Sequence, residues 1–528
     1  MQKLSIIALA LALAVSVSCN KADKLHLEQL QQDYAALEQT APSAVPEAAT
    51  PSADEPGEFK FTLDKEFYGV DAGCSVSIRY SLPQAASVQV NVLEGWSAEV
   101  SMREAEGEIV LTAPDPVHPC EMVAVATTAD GKTTALQLPV RVRDPYSDAT
   151  RPRIDALGYY LRTHNRSVEN CRKLVDAGIN IVTVESEDGG FEELMDMCRQ
   201  VGLKVLLIIG GYAGRAYDNP DRYYGELEAF VNRMKVRPEL YGWHICDEPS
   251  LAEAARVKAM KDMVEALDPD HPVYLNYHPE ASSGSLGANT YKEYIDTFTD
   301  YLDQDLISFD MYPILPGRIM PNWHSCLEVV SDAAKRHGVP FWAFVASCWI
   351  DKETLDREKP VAQNELLQAY TSLAYGAQCI QYFTISQYGG TSYAPFMLDG
   401  SWSGAYDAMR DANLEMLNRS YIFKDATIRK VRHNNEMANH VTSLTPMDLP
   451  QQFNGFASTY SCCFSFVENN GNEYIAIVNN YWNVDQDLMV DANDWYYEID
   501  KDGNFIEHGP GVSYLKVEKG GMTVLKYR

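Results

Sequence analysis

Two adjacent carboxylates and a proline, Asp247-Glu248-Pro249, are the residues of this chain that are best suited to chemistry. A positioned carboxyl group can donate a proton to a reacting group and can also act as a base. The three residues end an apolar and aromatic run, Leu240–Cys246, which has the pattern of a buried strand. Proline cannot donate to a strand ladder, so Pro249 should end the strand. The pattern therefore predicts both carboxylates at the carboxyl end of a strand.

The surrounding chain alternates strand and helix patterns from Arg153 to about Ala426. The predicted strands are Ile154–Leu161, Ile179–Glu185, Lys204–Gly210, Leu240–Cys246, Pro272–Tyr277, Leu306–Tyr312, Pro340–Ser347 and Cys379–Ser386. Helical periodicity fills the segments between them, for example Val168–Ala177, Phe191–Val201, Tyr223–Val236, Ala252–Leu267, Ser325–His337 and Leu366–Tyr375. Eight such units over roughly 270 residues are typical of a (β/α)8 TIM barrel. We expect this barrel over residues 151–426, with Asp247-Glu248 at the end of strand four. A doubly wound sheet is the alternative, but no Gly-x-Gly-x-x-Gly follows the first strand.

Residues 58–145 show a period-two alternation, which predicts short strands. Turns that contain Pro, Gly or Asp-Gly separate the strand patterns Ser75–Tyr80, Ser87–Val92, Glu108–Thr112, Met122–Thr127 and Leu136–Val142. The spacing predicts an N-terminal immunoglobulin-like β-sandwich. Its two cysteines, Cys74 and Cys120, can form a disulfide in an oxidising compartment or stay as two buried thiols, and the sequence does not decide between them.

Residues 427–528 return to a β pattern and predict a C-terminal β-sandwich that packs on the barrel. Asn470-Gly471, Asp502-Gly503 and Gly520-Gly521 are expected to form hairpin turns between its strands. Cys462 and Cys463 are adjacent in sequence and cannot easily bridge each other, so we expect both to be core residues.

The first residues have the pattern of an export signal. Lys3 is followed by the apolar run Leu4–Val17, which is too short to span a bilayer. Ser16-Val17-Ser18-Cys19 resembles a relaxed bacterial lipobox, and the resemblance implies cleavage before Cys19 and lipidation of its thiol. An ordinary secreted protein is the alternative. We expect a lipoprotein signal peptide over residues 1–19, then a short helix and a disordered linker over residues 20–57. The protein would be exported and lipid-anchored at the bacterial outer membrane or cell surface.

The charge of the chain limits its partners. Lysine and arginine number 44, aspartate and glutamate 74, and the net charge is −30. A chain this acidic is a poor partner for nucleic acid or for an anionic membrane surface. We therefore expect no nucleic-acid partner, and contact with a membrane only through the N-terminal lipid.

Asp247-Glu248-Pro249 at the end of the fourth of eight strands resembles the Asn-Glu-Pro motif of the clan A (β/α)8 glycoside hydrolases and their galactosidase-like relatives. The resemblance implies that Glu248 is the acid/base, with Asp247 in place of the usual Asn, and that the substrate is an oligo- or polysaccharide. The family's nucleophilic glutamate ends strand seven, whereas Pro340–Ser347 and the following Cys348 contain no Glu. This departure favours the alternative, a catalytically inactive barrel that binds glycans at the cell surface.

A glycosidase generally needs a second carboxylate, and Asp310 is our first choice. It ends strand six, precedes Pro313 and shares a face with Tyr312. A purely structural acid that orients Glu248 or a sugar hydroxyl is the competing hypothesis for Asp310. The next choices are Glu185, Asp247, which a regular strand would point away from Glu248, and Asp351.

Other side chains at the predicted strand ends fit a sugar, which presents C–H faces and hydroxyl groups. Aromatic rings can pack on the faces, and polar groups can bind the hydroxyls. Core packing is the competing explanation for each aromatic side chain taken alone. The predicted substrate-binding residues are Tyr159, Arg162, Glu185, Asp247, Tyr277, His278, Tyr312, Trp323, Trp349, Tyr382 and Trp402.

Motifs for metal or cofactor chemistry are missing from the sequence. There is no His-x-His on strand one, no HExxH and no paired CxxC. His244 lies inside strand four and is expected to be a packed histidine, and Ser347 lacks a Gly-x-Ser-x-Gly context. We therefore expect neither a metal nor a cofactor.

Overall fold

The computed structural model describes residues 59–64, 68–70, 75–83, 85–92, 95–103, 105–114, 122–142, 153–280, 283–350, 357–389, 391–434 and 441–527. The predictions for residues 1–57, which include Cys19, and those for Cys74, Cys120 and Asp351 lie outside these ranges.

Nine strands occur among the described residues before the barrel, and seven of them form two antiparallel sheets with one core between them. The sheet orders are β1-β3-β6-β5 and β4-β7-β8, and β2 pairs with β9 in parallel. Ile78, Ile109 and Ala126 from the two sheets belong to the same buried cluster. The predicted strand Leu136–Val142 is in fact two strands, because Pro139 has no N–H to continue a ladder. The strands are β1 (Thr62–Leu63), β2 (Tyr68–Val70), β3 (Ser75–Ser81), β4 (Ala85–Asn91), β5 (Ser97–Arg103), β6 (Glu106–Thr112), β7 (Val123–Thr128), β8 (Thr133–Gln137) and β9 (Val140–Val142).

The middle of the chain is a closed barrel of eight parallel strands. They are β10 (Asp155–Gly158), β11 (Ile181–Glu185), β12 (Lys204–Ile208), β13 (Leu240–Asp247), β14 (Val273–Tyr277), β15 (Ile307–Phe309), β18 (Phe341–Ala346) and β20 (Cys379–Phe383). Two short hairpin-like pairs lie in its loops: β16 (Ile314–Leu315) with β17 (Arg318–Ile319), and β19 (Trp349–Ile350) with β21 (Thr391–Tyr393). The prediction of an eight-stranded barrel is confirmed, and the doubly wound alternative is wrong.

Ten α-helices occur in the described part of the chain, and most of them surround the barrel. They are α1 (Val168–Asp176), α2 (Phe191–Val201), α3 (Gly210–Asp218), α4 (Pro220–Met234), α5 (Ala254–Leu267), α6 (Ser283–Leu286), α7 (Tyr291–Leu302), α8 (Trp323–His337), α9 (Ala362–Ala374) and α10 (Gly404–Ser420). Their ends follow ordinary capping chemistry: Ser167 accepts from the Asn170 N–H at the start of α1, and Gly202 ends α2 with a φ of 81°. The glycine-rich helix α3 was not predicted, and it begins at Gly210, where the strand pattern Lys204–Gly210 was expected to end. No helix among the described residues is both long and apolar enough to span a bilayer.

The C-terminal strands form a six-stranded sheet, β22-β24-β25-β30-β27-β28, and a three-stranded sheet, β23-β26-β29. One face of the larger sheet packs on the barrel helices, where Ser465 Oγ donates to the Ala374 carbonyl of α9 at 2.6 Å. The opposite face shares a core with the smaller sheet. The strands are β22 (Thr427–His433), β23 (Phe453–Ser458), β24 (Cys462–Asn469), β25 (Asn472–Asn479), β26 (Gln486–Ala492), β27 (Tyr496–Ile499), β28 (Phe505–His508), β29 (Gly511–Val517) and β30 (Met522–Lys526).

Two of the three predicted hairpin turns in this region are confirmed. Asn470-Gly471 joins the paired strands β24 and β25, and Asp502-Gly503 joins β27 and β28. Gly520-Gly521 instead joins β29 and β30, which lie in different sheets, so it crosses between the two layers. Cys462 and Cys463 are both fully buried free thiols, as predicted.

Candidate active site

Asp247 and Glu248 lie where β13 ends, at the mouth of the barrel, by which we mean the carboxyl ends of its eight strands. A regular strand would point the two side chains apart. The ladder to β14 shifts register between His244 and Cys246, and Glu248 has a φ of 47°, a region that few residues other than glycine adopt. These two irregularities let both carboxylates reach the same group of side chains. The expectation that Asp247 points away from Glu248 is therefore wrong.

A single amide links three neighbouring strands at this mouth. Asn276, on β14, donates through Nδ2 to Asp247 Oδ1 at 3.1 Å and to Asp310 Oδ1 at 3.0 Å. Its Oδ1 accepts from Ser308 Oγ at 3.1 Å. Because Asn276 is 2% exposed, water does not compete for these bonds, and the amide fixes the two carboxyl groups relative to each other.

Below Asn276, a second layer of polar contacts holds it in place. Tyr274 Oη lies 2.7 Å from Ser308 Oγ and donates to Gln381 Oε1 at 2.9 Å. Gln381 Nε2 in turn donates to Ser308 Oγ at 2.8 Å. Tyr274, Ser308 and Gln381 are completely buried, so the amide of Asn276 sits on a rigid polar base inside the barrel.

Glu248 and Asp310 form a carboxyl–carboxylate pair. A side-chain hydrogen bond between them raises the pKa of Asp310 and lowers that of Glu248, so Asp310 holds the shared proton more tightly. Burial and the nearby Glu248 and Asp247 charges raise the pKa of Asp310 well above its usual value. Desolvation, followed by the Asp247 charge, raises the pKa of Glu248 to about 7, and the bond from Asp310 opposes this rise. Glu248 can therefore exchange a proton near neutral pH.

Asp247 and Glu248 are solvent-exposed, in contrast to Asp310, which is 8% exposed. The surrounding protein nevertheless desolvates Asp247 enough to raise its pKa. The hydrogen bond from Asn276 and the charge of the nearby His278 oppose this rise. This combination of access and desolvation is typical of groups at the base of a concave site.

Deeper in the barrel, Tyr159 Oη lies 2.6 Å from His244 Nε2. Both residues are 2% exposed, and burial lowers the pKa of His244 to about 3, so the imidazole is neutral. His244 is therefore a packed histidine, as predicted. Tyr159 is a buried support beneath the mouth, not the solvent-facing sugar contact that we expected.

Four aromatic rings line one side of the mouth next to the carboxylates. The ring centroids of Tyr160 and Tyr388 are 5.7 Å apart, those of Phe383 and Tyr388 6.0 Å, and those of Tyr312 and Phe383 5.2 Å. Burial is the largest cause of the raised pKa values of Tyr160 and Tyr388, and the Asp247 charge raises both further. The two rings therefore lie close enough to this carboxylate to belong to the same site. Together the rings offer an apolar surface beside the acids.

Arg162 and Glu185 occupy the next part of the mouth. Arg162 Nη2 lies 3.2 Å from Asp188 Oδ1, and its guanidinium lies 5.6 Å from the centroid of the Tyr160 ring. Burial raises the pKa of Glu185 to about 7, with Arg162 lowering it and Asp188 raising it. The predicted residues Arg162, Glu185, Asp247, His278 and Tyr312 thus lie close to the Glu248–Asp310 pair or to its aromatic wall.

Three other predicted contacts lie elsewhere, and two more are engaged by neighbouring groups. Tyr277, Tyr382 and Trp323 are almost completely buried in the layer between barrel and helices, where Tyr277 packs on Phe298 and Tyr382 donates to Asn413 Oδ1 at 3.0 Å. They cannot line the mouth, so these predictions are wrong. Trp349 donates to the Arg357 carbonyl at 3.1 Å. Trp402 packs between Phe396 and Tyr406 under the ammonium group of Lys173.

Sequence reasoning missed Asn276, Phe383 and Tyr388. Strict alternation from the interior residue Gln381 would have chosen Phe383 in place of Tyr382. Asn276 is recognisable only as a buried polar residue within an apolar strand, Val273–Tyr277.

The site as described is suited to proton transfer. Among the described residues, no group of three or more His, Cys, Asp and Glu side chains is arranged to hold a metal ion. A surface pocket of about 400 Å³ lies between α9, α10 and the C-terminal sheet, and its lining residues, Asp485 and Lys501 among them, are separate from this site. We assign the chemistry to the barrel mouth because the paired carboxyl groups lie there.

No family model matches the chain, and no curated protein matches it. Several solved structures are similar to it. A family 39 glycoside hydrolase from the gut symbiont Bacteroides cellulosilyticus WH2 has a TM-score of 0.46 and 12% identity, over 89% of this chain and 100% of that one. A family 5 glycoside hydrolase from Bacteroides vulgatus ATCC 8482 has a TM-score of 0.47 and 12% identity, over 71% and 89%.

A β-galactosidase from the psychrophilic Marinomonas ef1 has a TM-score of 0.39 and 11% identity, over 50% of this chain. This chain spans 60% of the length of that enzyme. These structural neighbours are glycoside hydrolases. At such TM-scores the likeness does not decide what the chain does, and its function has to be argued from the site.

Proposed function

We propose that this protein is a glycoside hydrolase that cleaves glycosidic bonds in oligo- or polysaccharides, with Glu248 as the general acid/base. The observation that carries the proposal is the hydrogen-bonded pair of Glu248 and Asp310 at the end of the fourth barrel strand, beside a wall of aromatic rings. Carboxyl groups with raised pKa values supply the acid, and the rings supply a surface for sugar C–H faces.

Glu248 is suited to both halves of the reaction. With a pKa of about 7 it is substantially protonated at neutral pH and can protonate the leaving oxygen. The resulting carboxylate is stabilised by the hydrogen bond from Asp310, and it can then accept a proton from water. The backbone of Glu248 has a φ of 47°, in the left-handed region, and this conformation keeps the carboxyl group at the mouth.

Asp310 has a different role from the one expected of a second carboxylate. The two carboxyl groups of a glycosidase stand about 5–5.5 Å apart for retention and about 6.5–9.5 Å apart for inversion. A direct hydrogen bond is much shorter than either separation, so no sugar ring fits between Asp310 and Glu248. We assign Asp310 as the proton partner that positions Glu248.

We assign the second reactive group to Asp247. Asn276 holds this carboxylate beside the pair, and its neighbours Tyr160 and Tyr388 form part of the aromatic wall. Asp247 would attack the anomeric carbon, or orient a group of the substrate that does so, while the bond from that carbon to the leaving oxygen breaks and Glu248 protonates that oxygen. Water, deprotonated by Glu248, would then displace the attacking group from the anomeric carbon, and both routes retain the configuration of the sugar. Inversion, observed by proton NMR of the first-formed product, would contradict this assignment.

The test is a screen of the full chain and its Glu248→Gln variant against aryl glycosides and polysaccharides. We expect turnover by the wild type and a loss of about 10²–10⁴ in kcat/KM in the variant for unactivated substrates. Glu228→Gln, an exposed position on α4, is the matched control. Binding of glycans without turnover by the wild type would instead support the inactive glycan-binding barrel.

We infer the flanking architecture from the strand orders. The orders β1-β3-β6-β5 and β4-β7-β8 correspond to the ABED and CFG sheets of an immunoglobulin-like sandwich. This supports an immunoglobulin-like domain over 58–145, a barrel over 151–426 and a β-sandwich over 427–528.

We also propose that Cys19 is lipidated and that the protein is anchored at the bacterial outer membrane or cell surface. The support is the apolar segment with its lipobox-like end, Ser16-Val17-Ser18-Cys19. Cys19→Ala should leave the protein unlipidated and move it out of the membrane fraction. Unchanged membrane partitioning would count against lipidation.

A further inference from the structure

The barrel mouth carries more acidic than basic side chains. Asp247, Glu248 and Asp310 meet around Asn276, and Glu185 lies nearby on β11. Among the described residues, no Lys or Arg side chain contributes to the pKa of Asp247 or Glu248, and the nearby His278 acts on Asp247 alone. Within the described ranges, no permanent cation therefore balances the reacting carboxylates.

One guanidinium does reach this region, and its charge is already engaged. Arg162 lies 3.2 Å from Asp188, and the two side chains are 12% and 16% exposed. Arg162 also lowers the pKa of the neighbouring Glu185. A cation that faces two carboxylates has little attraction left for an anionic ligand.

We propose that this site takes glycans whose sugar at Glu248 is uncharged or carries an amino group, and that it discriminates against uronic acids and sulfated sugars. The inference rests on the proposed function and adds to it the charge class of the substrate.

The physical reason is the contrast between hydroxyl and carboxylate groups at an acidic surface. Sugar hydroxyls can donate charge-assisted hydrogen bonds to Asp247 and Glu185, and such bonds are among the stronger ones in proteins. The carboxylate group of a uronate and the sulfate group of a sulfated sugar can only accept, so they would face these side chains without a donor and with like charge. A like charge beside Glu248 would also make that residue a weaker acid. Anionic substrates should therefore lose both binding and rate.

The experiment compares matched substrates on the purified full-length protein. The pairs are 4-nitrophenyl glucoside with glucuronide and galactoside with galacturonide, each in both anomeric forms. We expect kcat/KM for the neutral member of a cleaved pair to exceed that of the uronide by at least about a hundredfold. A uronide that is cleaved as fast as its neutral partner, or faster, overturns the inference.

A charge-neutralising variant tests whether the mouth itself causes the discrimination. Asp188→Asn removes the charge that lies 3.2 Å from Arg162, which leaves the guanidinium less neutralised when an anion approaches. We expect the ratio of neutral to anionic kcat/KM to fall by about tenfold. Asp262→Asn, which breaks an exposed ion pair with Lys258 on α5, should leave the ratio unchanged. Equal effects of the two variants would contradict a local origin.

Binding separates the failure of this inference from the failure of the proposed function. If no aryl glycoside is cleaved, calorimetry with a neutral disaccharide and its uronate analogue decides the matter. If the neutral member binds tighter by about tenfold or more, the preference for uncharged sugars is upheld although the hydrolase proposal fails. Equal or tighter binding of the uronate overturns the charge class, and absence of binding by either overturns both.

Discussion

A side-chain hydrogen bond joins Asp310 and Glu248, so two carboxyl groups at the barrel mouth share one proton, which Asp310 holds more tightly. Asn276 sits behind the pair and donates to Asp310 at 3.0 Å. The arrangement keeps Asp310 neutral and lets Glu248 titrate near neutral pH. It also makes the pKa of Glu248 sensitive to the chemistry of its partners.

Replacing Asp310 by leucine should raise the pKa of Glu248. Leucine keeps the site desolvated but removes the hydrogen bond that lowers this pKa. The limb of the kcat/KM–pH profile that reports the acid should move up by about one pH unit, and kcat should fall. Asp310→Asn retains an N–H donor and should show the smaller displacement. A limb that stays in place in both variants would remove Asp310 from this role.

Asn276→Leu should cost both activity and stability. The substitution removes the Nδ2 amide group that donates to both Asp247 and Asp310. It also removes the Oδ1 atom that accepts from Ser308. Each lost bond to a charged or buried group costs about 1–3 kcal/mol, so denaturant unfolding should show a loss of a few kcal/mol. Asn276→Asp keeps the shape and the acceptor for Ser308, but adds a charge next to two acids. It should fold less stably than the wild type at pH 8 and recover at pH 5.

Glu185→Gln should stabilise the protein at alkaline pH. The folded pKa of Glu185, about 7, lies above its ordinary value of 4.5, so the folded state binds the proton more tightly than the unfolded one. The favourable contribution of Glu185 is complete below pH 4.5 and is lost as the pH rises through about 7. Glutamine stays neutral throughout.

The free energy of unfolding of this variant at pH 8 should therefore exceed that of the wild type. The expected gain is roughly 1–2 kcal/mol after allowance for partial exposure. The gain should shrink at pH 5. A difference that does not change with pH would show that burial of the charge is not its cause. Catalytic efficiency should fall in parallel if Glu185 binds sugar hydroxyls.

The barrel was predictable because eight apolar segments of strand length alternate with helical periodicity. Each predicted strand overlaps an observed one, and Asp247-Glu248 falls at the end of strand four as the pattern indicated. Pro249 marks the end of this strand through its own backbone chemistry, which does not depend on distant contacts. The same is true of the hairpin turn at Asn470-Gly471.

The orientation of side chains at the mouth could not be predicted in the same way. Parallel barrel strands are buried on both faces, so an apolar run does not show which residues point inward. The sequence pattern predicts Tyr382 and Tyr277 as substrate contacts. In the structure, their neighbours Phe383 and Asn276 face the site instead. The positive φ of Glu248 is another example, because glutamate has no intrinsic preference for that conformation. The Glu248 N–H donates to the Asn276 carbonyl of the next strand at 2.9 Å, a contact that the sequence does not reveal.

The most direct test of the central claim is the leaving-group dependence of Glu248→Gln. The measurement is kcat/KM of wild type and variant for a series of aryl glycosides, from 2,4-dinitrophenyl to phenyl. Because a good leaving group needs no protonation, the variant should cleave the activated substrates at rates near the wild type. Its rate should fall by about 10²–10⁴ for the phenyl glycoside. A uniform loss across the series, or no loss at any leaving group, would contradict the assignment of Glu248 as the general acid.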